Sequence, residues 1–306
     1  MTSLTLEPGI KKIVSEFISA GCPSVRSLSI AERRQGYLDS VELAGACEPV
    51  CQCTDIEIHG LMLRIYRPSA QGILPVAIYF HGGCFVSGGF ETHEQQLSKL
   101  ANLSGAMVIA IRYRLAPEHV YPAAHDDAFN AAQLIRQHCA QWDGDPDNIS
   151  LIGDSAGGHL SLVTALRLKE KADWLPARQI LIYPMLDATT SSRSYQEYGT
   201  HYVITKEALE SGYELYFKQV SRTHPEASPL FRSDLAGLPE THIITAQFDP
   251  LVDEGEQLYR TLLEAGVPVQ CRRYLGVIHG FFQLSAISRA ARESIAQVAG
   301  LIRVQS

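Results

Sequence analysis

The sequence predicts an α/β protein built on a mostly parallel, eight-stranded sheet with helices on both faces. Eight short apolar runs have the length and composition of strands, and from the third onward they alternate with helical stretches. A chain of 306 residues can bury one sizeable core and still carry an insertion. No internal repeat or low-complexity stretch interrupts the alternation.

The first two strands are predicted to form a hairpin at one edge of the sheet. They span 53–58 and 61–66, and the His59-Gly60 pair between them is typical of a tight turn joining antiparallel strands. The other strands are predicted at 76–80, 107–111, 149–152, 179–183, 241–246 and 269–274. The helices are predicted at 92–104, 123–139, 156–171, 254–265 and 286–303.

Two segments do not fit the alternation. Residues 1–50 precede the first strand and have a helical pattern, whereas residues 185–225 form a connection too long for a plain alternating sheet. Aromatic side chains are concentrated in the second segment, which contains Tyr195, Tyr198, Tyr202, Tyr213, Tyr216 and Phe217. We expect these rings to form the core of a small additional helical layer.

Charge and hydropathy narrow the range of partners. A formal charge of −7 implies no basic face, so neither nucleic acid nor an anionic membrane is an expected partner. No stretch of about 18 apolar residues is present, and therefore no transmembrane helix is predicted. The N-terminal residues, with Glu7, Pro8, Lys11 and Lys12, lack the apolar centre of a signal peptide, so we expect a cytoplasmic protein.

The cysteines favour free thiols over a metal site. There are seven, an odd number, which suits a reducing compartment. Cys47, Cys51 and Cys53 are clustered, but a structural metal site needs four ligands, and His59 is the nearest further candidate. We expect neither a metal nor a cofactor.

The segment Gly153-Asp154-Ser155-Ala156-Gly157 matches the pattern Gly-x-Ser-x-Gly. A short apolar run precedes it and an apolar helical stretch follows it, and this context is what a strained turn around a nucleophilic serine requires. Such a turn would place the Ser155 hydroxyl at the carboxyl edge of the sheet. The pattern alone is weak, because a serine that caps a helix beside a glycine turn is common.

A second glycine motif, His81-Gly82-Gly83-Cys84-Phe85, follows the strand predicted at 76–80. A loop of this kind supplies backbone N–H groups to an oxyanion hole, and its glycines let the backbone pass close to a reacting carbonyl. Two adjacent glycines are also ordinary in a strand-to-helix turn. The two motifs in this order favour a catalytic site.

The chain order serine, acid, histidine selects the base by elimination. His279 follows the strand at 269–274, and a loop at the carboxyl end of a strand is where a general base belongs; a surface histidine is the alternative. The other histidines beyond Ser155 come too early or lie within a strand: His159, His201, His224 and His242.

The acid is best placed at Asp249, directly after the strand at 241–246. The Asp249-Pro250 turn is rigid and can fix a carboxylate that orients an imidazole. Asp253 and Glu254 remain as alternative acids, although both also suit the start of the helix predicted at 254–265.

With these motifs the chain resembles the hormone-sensitive-lipase-like esterases, a branch of the α/β-hydrolase superfamily. The resemblance spans about residues 60–300 and rests on His81–Phe85, Tyr113–Glu118, Gly153–Gly158, Asp249–Glu254 and His279–Phe281. It implies that Ser155 is the nucleophile, Asp249 the acid and His279 the base.

The resemblance also implies the oxyanion hole and the domain organisation. The donors would be the N–H groups of Gly83, Cys84 and Ala156, with Gly82 shaping the loop. An α/β-hydrolase core would consist of 51–184 and 226–306, and a helical cap would be formed by 1–50 together with the insertion 185–225.

The function implied is that of a serine carboxylesterase without a cofactor. It would hydrolyse small-molecule esters with short to medium acyl chains through an acyl-enzyme intermediate; a homodimer is left open. Two rival functions are an arylformamidase or amidase using the same three residues, and a non-catalytic small-molecule receptor, which is expected to lack the base.

Cys84 departs from the family, whose loop has a third glycine at this place. A cysteine keeps its N–H, so the donor survives if its φ stays negative, and the side chain would change the shape of the acyl pocket. The apolar residues near the motifs would line that pocket or pack in the core: Phe85, Val277, Ile278, Phe281 and Phe282.

Overall fold

Eight strands form a single sheet in the computed structural model, which describes residues 5–303. The strands are β1 (Gln52–Ile58), β2 (Leu61–Arg67), β3 (Leu74–Phe80), β4 (Met107–Arg112), β5 (Gly144–Asp154), β6 (Arg178–Ile182), β7 (Glu240–Phe248) and β8 (Val269–Ile278). Residues 1–4 and 304–306, at the ends of the segments predicted as 1–50 and 226–306, lie outside the described residues.

The strand order is β1-β2-β4-β3-β5-β6-β7-β8. β1 and β2 form the antiparallel hairpin that His59-Gly60 predicted, and β2 pairs antiparallel with β4. The remaining pairs are parallel. The predicted mostly parallel α/β sheet is therefore confirmed, and the carboxyl ends of β3, β5, β7 and β8 meet at one edge.

Nine α-helices occur among residues 5–303. They are α1 (Pro8–Ser19), α2 (Ile30–Asp39), α3 (Phe90–Ser104), α4 (Ala123–His138), α5 (Ala156–Lys171), α6 (Arg193–Tyr198), α7 (Lys206–Tyr216), α8 (Val252–Glu264) and α9 (Arg289–Arg303). The helices α3 and α9 pack together over one face of the sheet, while α4, α5 and α8 cover the other, so that each face has its own apolar core. In this part of the chain no helix is both long enough and apolar enough to cross a bilayer.

The two segments that interrupt the alternation of strands and helices, predicted as 1–50 and 185–225, contact each other. Arg26, which follows α1, pairs with Glu214 of α7 at 2.8 Å, and Arg33 of α2 donates to Ser211 of α7 at 2.9 Å. α2 begins where the side chain of Ser29 accepts from the Glu32 N–H and the Glu32 carboxylate accepts from the Ser29 N–H, a reciprocal cap that fixes its first turn.

Candidate active site

Ser155 occupies a sharp turn between the end of β5 and the start of α5. Its backbone is in a strained conformation, with φ 55° and ψ −116°, and its N–H donates to the carbonyl of Ile182 at 2.8 Å. The glycines on either side have no room for a side chain. A Cβ at Gly157 would lie 1.9 Å from the carbonyl oxygen of Phe80, and one at Gly153 would lie 2.2 Å from the Gly157 backbone. These contacts explain physically why the motif needs both glycines.

The structure brings Ser155, His279 and Asp249 into one hydrogen-bonded chain. Ser155 Oγ lies 2.9 Å from His279 Nε2, and His279 Nδ1 lies 2.9 Å from Asp249 Oδ2. Asp249 directly follows β7 and His279 directly follows β8, so the parallel register delivers both to the carboxyl edge where Ser155 stands. All three residues are buried, Asp249 completely.

The second oxygen of Asp249 is also fixed. Oδ1 accepts from the N–H of Leu251 at 2.7 Å, which holds the carboxylate plane against the imidazole. With Nδ1–H donated to Asp249, the neutral imidazole presents the lone pair of Nε2 to the Ser155 hydroxyl. This arrangement allows His279 to accept the Ser155 proton while Asp249 stabilises the resulting cation.

The two alternative acids point elsewhere. Asp253 Oδ2 accepts from the N–H of Ser194 at 2.9 Å. Glu254 accepts from the N–H of Leu186 and from the hydroxyl of Tyr195, each at 3.1 Å, and burial raises the pKa of its carboxyl well above the ordinary value. Both carboxyls therefore hold α8 against the segment after β6, and neither is bonded to His279.

The glycine loop after β3 is tied to the turn at Ser155 by Asp154. The N–H of Gly82 donates to Asp154 Oδ1 at 2.9 Å, and the same oxygen accepts from the Tyr79 hydroxyl at 2.9 Å and lies 3.1 Å from His93 Nε2. Burial alone would raise the pKa of Asp154, but the charge of His93 and these hydrogen bonds outweigh it and hold the pKa below its ordinary value. The carboxylate thus joins the two motifs.

Three backbone N–H groups near Ser155 form no hydrogen bond within the described part of the chain. No hydrogen bond among residues 5–303 uses the N–H groups of Gly83, Cys84 or Ala156, and Ala156 is the first residue of α5. Unused N–H groups at the start of a helix favour negative charge. The Gly82 N–H, in contrast, is occupied by Asp154, which agrees with a role in shaping the loop.

Cys84 adopts a backbone conformation that its residue type does not suggest. Its φ is 54° and that of Phe85 is 63°, in a turn closed by hydrogen bonds from the N–H groups of Val86 and Ser87 to the Gly83 carbonyl, both at 3.0 Å. A negative φ, the condition set from the sequence for Cys84 to keep its donor, is not met, because this tight turn requires the left-handed region that glycine adopts without strain. The Cys84 N–H nonetheless has no hydrogen-bond partner among residues 5–303. Burial raises the pKa of the Cys84 thiol to about 12, although the nearby charge of Arg33 opposes the shift.

A cavity of about 380 Å³ opens above Ser155. Its floor includes Ser155, His279, Gly83 and Cys84. Its walls come from residues in the two segments predicted as 1–50 and 185–225. Of the five apolar residues expected near it, Ile278 lies in its wall, whereas four are fully buried in the core: Phe85, Val277, Phe281 and Phe282. These four belong to the packing that supports the site.

One residue of the site had no signal in the sequence: Tyr37 lines the cavity from α2 only through tertiary packing. The bond from the Leu251 N–H to Asp249 Oδ1 is, in contrast, a local contact two residues along the chain, of the kind that an aspartate at a turn commonly makes. Asp154 could have been found from the sequence, since it directly precedes Ser155 in the Gly-x-Ser-x-Gly motif and a carboxylate buried there must have a partner. The cysteines at 47–53 form no disulfide, and no group of three or more His, Cys, Asp or Glu side chains placed to hold a metal ion occurs within residues 5–303.

Comparison with known proteins places this chain and its fold in a family. The sequence profile of the α/β hydrolase fold family matches residues 77–283. The carboxylic ester hydrolase LipN of Mycobacterium tuberculosis is 36% identical over 257 residues, covering 79% of this chain and 68% of that protein. The ethyl acetate hydrolase of Pseudomonas putida is 34% identical over 276 residues, covering 87% of each chain.

Solved structures agree with the sequence comparison. The hyperthermophilic esterase of the archaeon Pyrobaculum calidifontis superposes with a TM-score of 0.92 at 37% identity, over 98% of both chains. The chain therefore belongs to the α/β-hydrolase family, in the hormone-sensitive-lipase-like branch that its motifs indicated.

Proposed function

We propose that this protein is a serine carboxylesterase in which Ser155, His279 and Asp249 form the catalytic triad. The observation that carries the proposal is the pair of 2.9 Å contacts that link the three side chains, at the strained turn that exposes Ser155 to a cavity. The relatives named as ester hydrolases support the reaction class.

The reaction proceeds by acyl transfer in two steps. His279 Nε2 takes the Ser155 proton as Oγ adds to the ester carbonyl, and the resulting imidazolium then protonates the leaving alkoxide. The acyl group remains on Ser155 Oγ until water, deprotonated by His279, attacks it and releases the carboxylic acid. The open N–H groups of Gly83, Cys84 and Ala156 stabilise the oxyanion in both steps.

Residues 1–50 and 185–225 act as a cap that bounds the substrate pocket. Both segments contribute to the walls of the 380 Å³ cavity, which gives it a limited length rather than an open lipid-binding face. This supports a preference for short and medium acyl chains.

Rates on aryl esters of graded acyl length test this preference. We expect kcat/KM to be greatest for short or medium chains and to fall for long ones, because a bounded cavity excludes the end of a long chain. A rate maximum on emulsified long-chain triglyceride would contradict the proposed cap. N-formyl anilides measured beside phenyl esters separate an amidase from an esterase, and the names of the relatives favour esters.

Cys84 contributes its backbone N–H, and its thiol is chemically inert. We expect Cys84→Gly to keep kcat within about tenfold, because an oxyanion donor is worth roughly 10²–10³ and is retained. Glycine also accepts the φ of 54° without strain. The acyl-chain optimum is expected to shift, since the pocket wall loses a side chain.

Alkylation of the thiol gives a second readout. With the pKa of Cys84 raised to about 12, its reaction with a maleimide should be slow at neutral pH and should rise about tenfold per pH unit toward pH 9. Cys84→Ser is the control and should be active but resistant. A loss on the order of 10³ in a folded Cys84→Ser protein would assign the thiol a chemical role.

A further inference from the structure

One face of helix α2 lines the cavity above Ser155. Its residues are Arg33, Gly36 and Tyr37, spaced as the same side of a helix requires, and Ser40 continues the same face just past the end of α2. Tyr37 reaches the oxyanion loop, because its Cε1 atom lies 3.2 Å from where a Cβ on Gly83 would stand. Arg33 precedes Tyr37 by one turn, which places their Cβ atoms about 5–6 Å apart.

The guanidinium of Arg33 is held beside the same loop from a second direction. Nη1 donates to Ser211 Oγ at 2.9 Å, and Nε donates to the Val25 carbonyl at 3.0 Å. Gly212, next to Ser211, packs on the loop so closely that an added Cβ would lie 2.6 Å from the Cβ of Cys84. Arg33 is thus held by Val25 and Ser211, and the residues next to it on α2 and α7, Tyr37 and Gly212, pack against Gly83 and Cys84 of the loop.

Arg33 differs from the neighbouring arginines in having no carboxylate partner. Arg26 pairs with Glu214 at 2.8 Å and Arg34 with Glu118 at 2.7 Å, whereas Arg33 forms no ion pair with any of the residues from 5 to 303. Its two hydrogen bonds use two of the five guanidinium N–H groups. Three donors and a full charge therefore remain on a half-buried side chain at the cavity wall.

The two acidic residues of the wall do not neutralise this charge. The Glu32 carboxylate turns back to the N–H and hydroxyl of Ser29, each at 2.7 Å. Asp154 directs Oδ1 to the three donors of the site described above. The rest of the wall is largely apolar, with Ile13, Leu28, Val203 and Ile204 among its members.

We propose that Arg33 binds a carboxylate carried by the ester, so that the substrates of this site include esters with a free acid group. The inference rests on the proposed esterase function and narrows its substrate class. A guanidinium in a largely apolar cavity forms strong charge-assisted hydrogen bonds to a carboxylate. The acid group can belong to the acyl chain, as in a monoester of a dicarboxylic acid, or to the alcohol, as in an acyl ester of a hydroxy acid.

Two matched substrate pairs test the proposal and separate the two sources. Monoethyl glutarate is compared with ethyl pentanoate for the acyl side, and 4-acetoxybutyrate with butyl acetate for the alcohol side; each pair exchanges a carboxylate for a methyl group. The quantity measured is the ratio of kcat/KM for the acidic ester to that for the neutral ester. In Arg33→Met we expect this ratio to fall about tenfold in at least one pair, and Arg33→Lys should retain part of it.

Arg26→Met is the matched control. It removes the same charge and another link between the N-terminal segment and α7, but Arg26 does not line the cavity. Its ratio should stay within about twofold of wild type. Arg33 would be only a structural link if Arg33→Met left both ratios unchanged. The same conclusion would follow if Arg33→Met and Arg26→Met each lowered kcat/KM for the neutral and the acidic esters by the same factor. Wild-type hydrolysis of the neutral esters alone would also overturn the inference, while no hydrolysis of either ester would instead refute the esterase function.

Discussion

Ser155→Ala is expected to lower kcat on an aryl ester by about 10⁴–10⁶, the largest effect that any single substitution should have. The substitution removes the Oγ that lies 2.9 Å from His279 Nε2 and with it the covalent intermediate. Alanine preserves the volume of the turn, so the free energy of unfolding should change by less than about 1 kcal/mol. Steady-state kinetics and chemical denaturation measure the two quantities on the same preparation.

Ser161→Ala is the matched control for this substitution. Ser161 is a buried serine on α5, the helix that follows Ser155, and its hydroxyl donates to the Gly157 carbonyl at 3.0 Å rather than to His279. Its kcat should remain within about tenfold of wild type, because the loss affects packing and not the reacting atoms. If folded Ser155→Ala kept a tenth of the wild-type activity, Ser155 would not be the nucleophile.

Asp249→Asn is expected to lower kcat by about 10³–10⁴. The carboxylate accepts from His279 Nδ1 at 2.9 Å and from the Leu251 N–H at 2.7 Å. In the variant, the oxygen of the new amide side chain is expected to keep the bond from the Leu251 N–H, so that its NH₂ group faces His279 Nδ1. Because Nδ1 must then accept, the imidazole proton moves to Nε2, and Nε2 can no longer take the Ser155 proton. The loss should appear mainly in kcat, since Asp249 is completely buried beneath the histidine.

The alternative acids provide the control. Asp253→Asn removes a carboxylate of the same type four residues along the chain, where it accepts from the Ser194 N–H at 2.9 Å. We expect a change in kcat of less than about tenfold. A greater loss from Asp253→Asn or Glu254→Gln than from Asp249→Asn would assign the acid to one of those positions.

Most of the fold could be predicted because its elements are long and strongly patterned. All eight strands, the four helices between them and the helix after the last strand were expected, and their bounds differ mainly where local sequence is misleading. β5 begins at Gly144 instead of 149, since its first residues, Asp145-Pro146-Asp147, have the composition of a turn. β8 continues to Ile278 instead of 274, and the partner strand carries a register shift there that no periodicity indicates.

The candidate catalytic residues could be predicted from the sequence, but the residues that reach the cavity from the N-terminal segment could not. Ser155 and the glycine loop carry motifs whose backbone requirements are visible in residue type. Tyr37 and Arg33 reach the cavity only through the packing of α2 against α7, which single-sequence patterns do not encode. The positive φ of Cys84 was missed for a similar reason, because the turn around it overrides the ordinary preference of a cysteine.

Labelling with a fluorophosphonate followed by intact-mass and peptide mass spectrometry tests the central claim most directly. The reagent phosphonylates a serine whose hydroxyl is activated by a neighbouring base. We predict one adduct per chain, located on Ser155, with no adduct in Ser155→Ala and a strongly slowed reaction in His279→Ala. An inert wild-type protein that is folded would contradict the esterase function and favour a non-catalytic receptor, and an adduct on a different residue would contradict the assignment of the nucleophile.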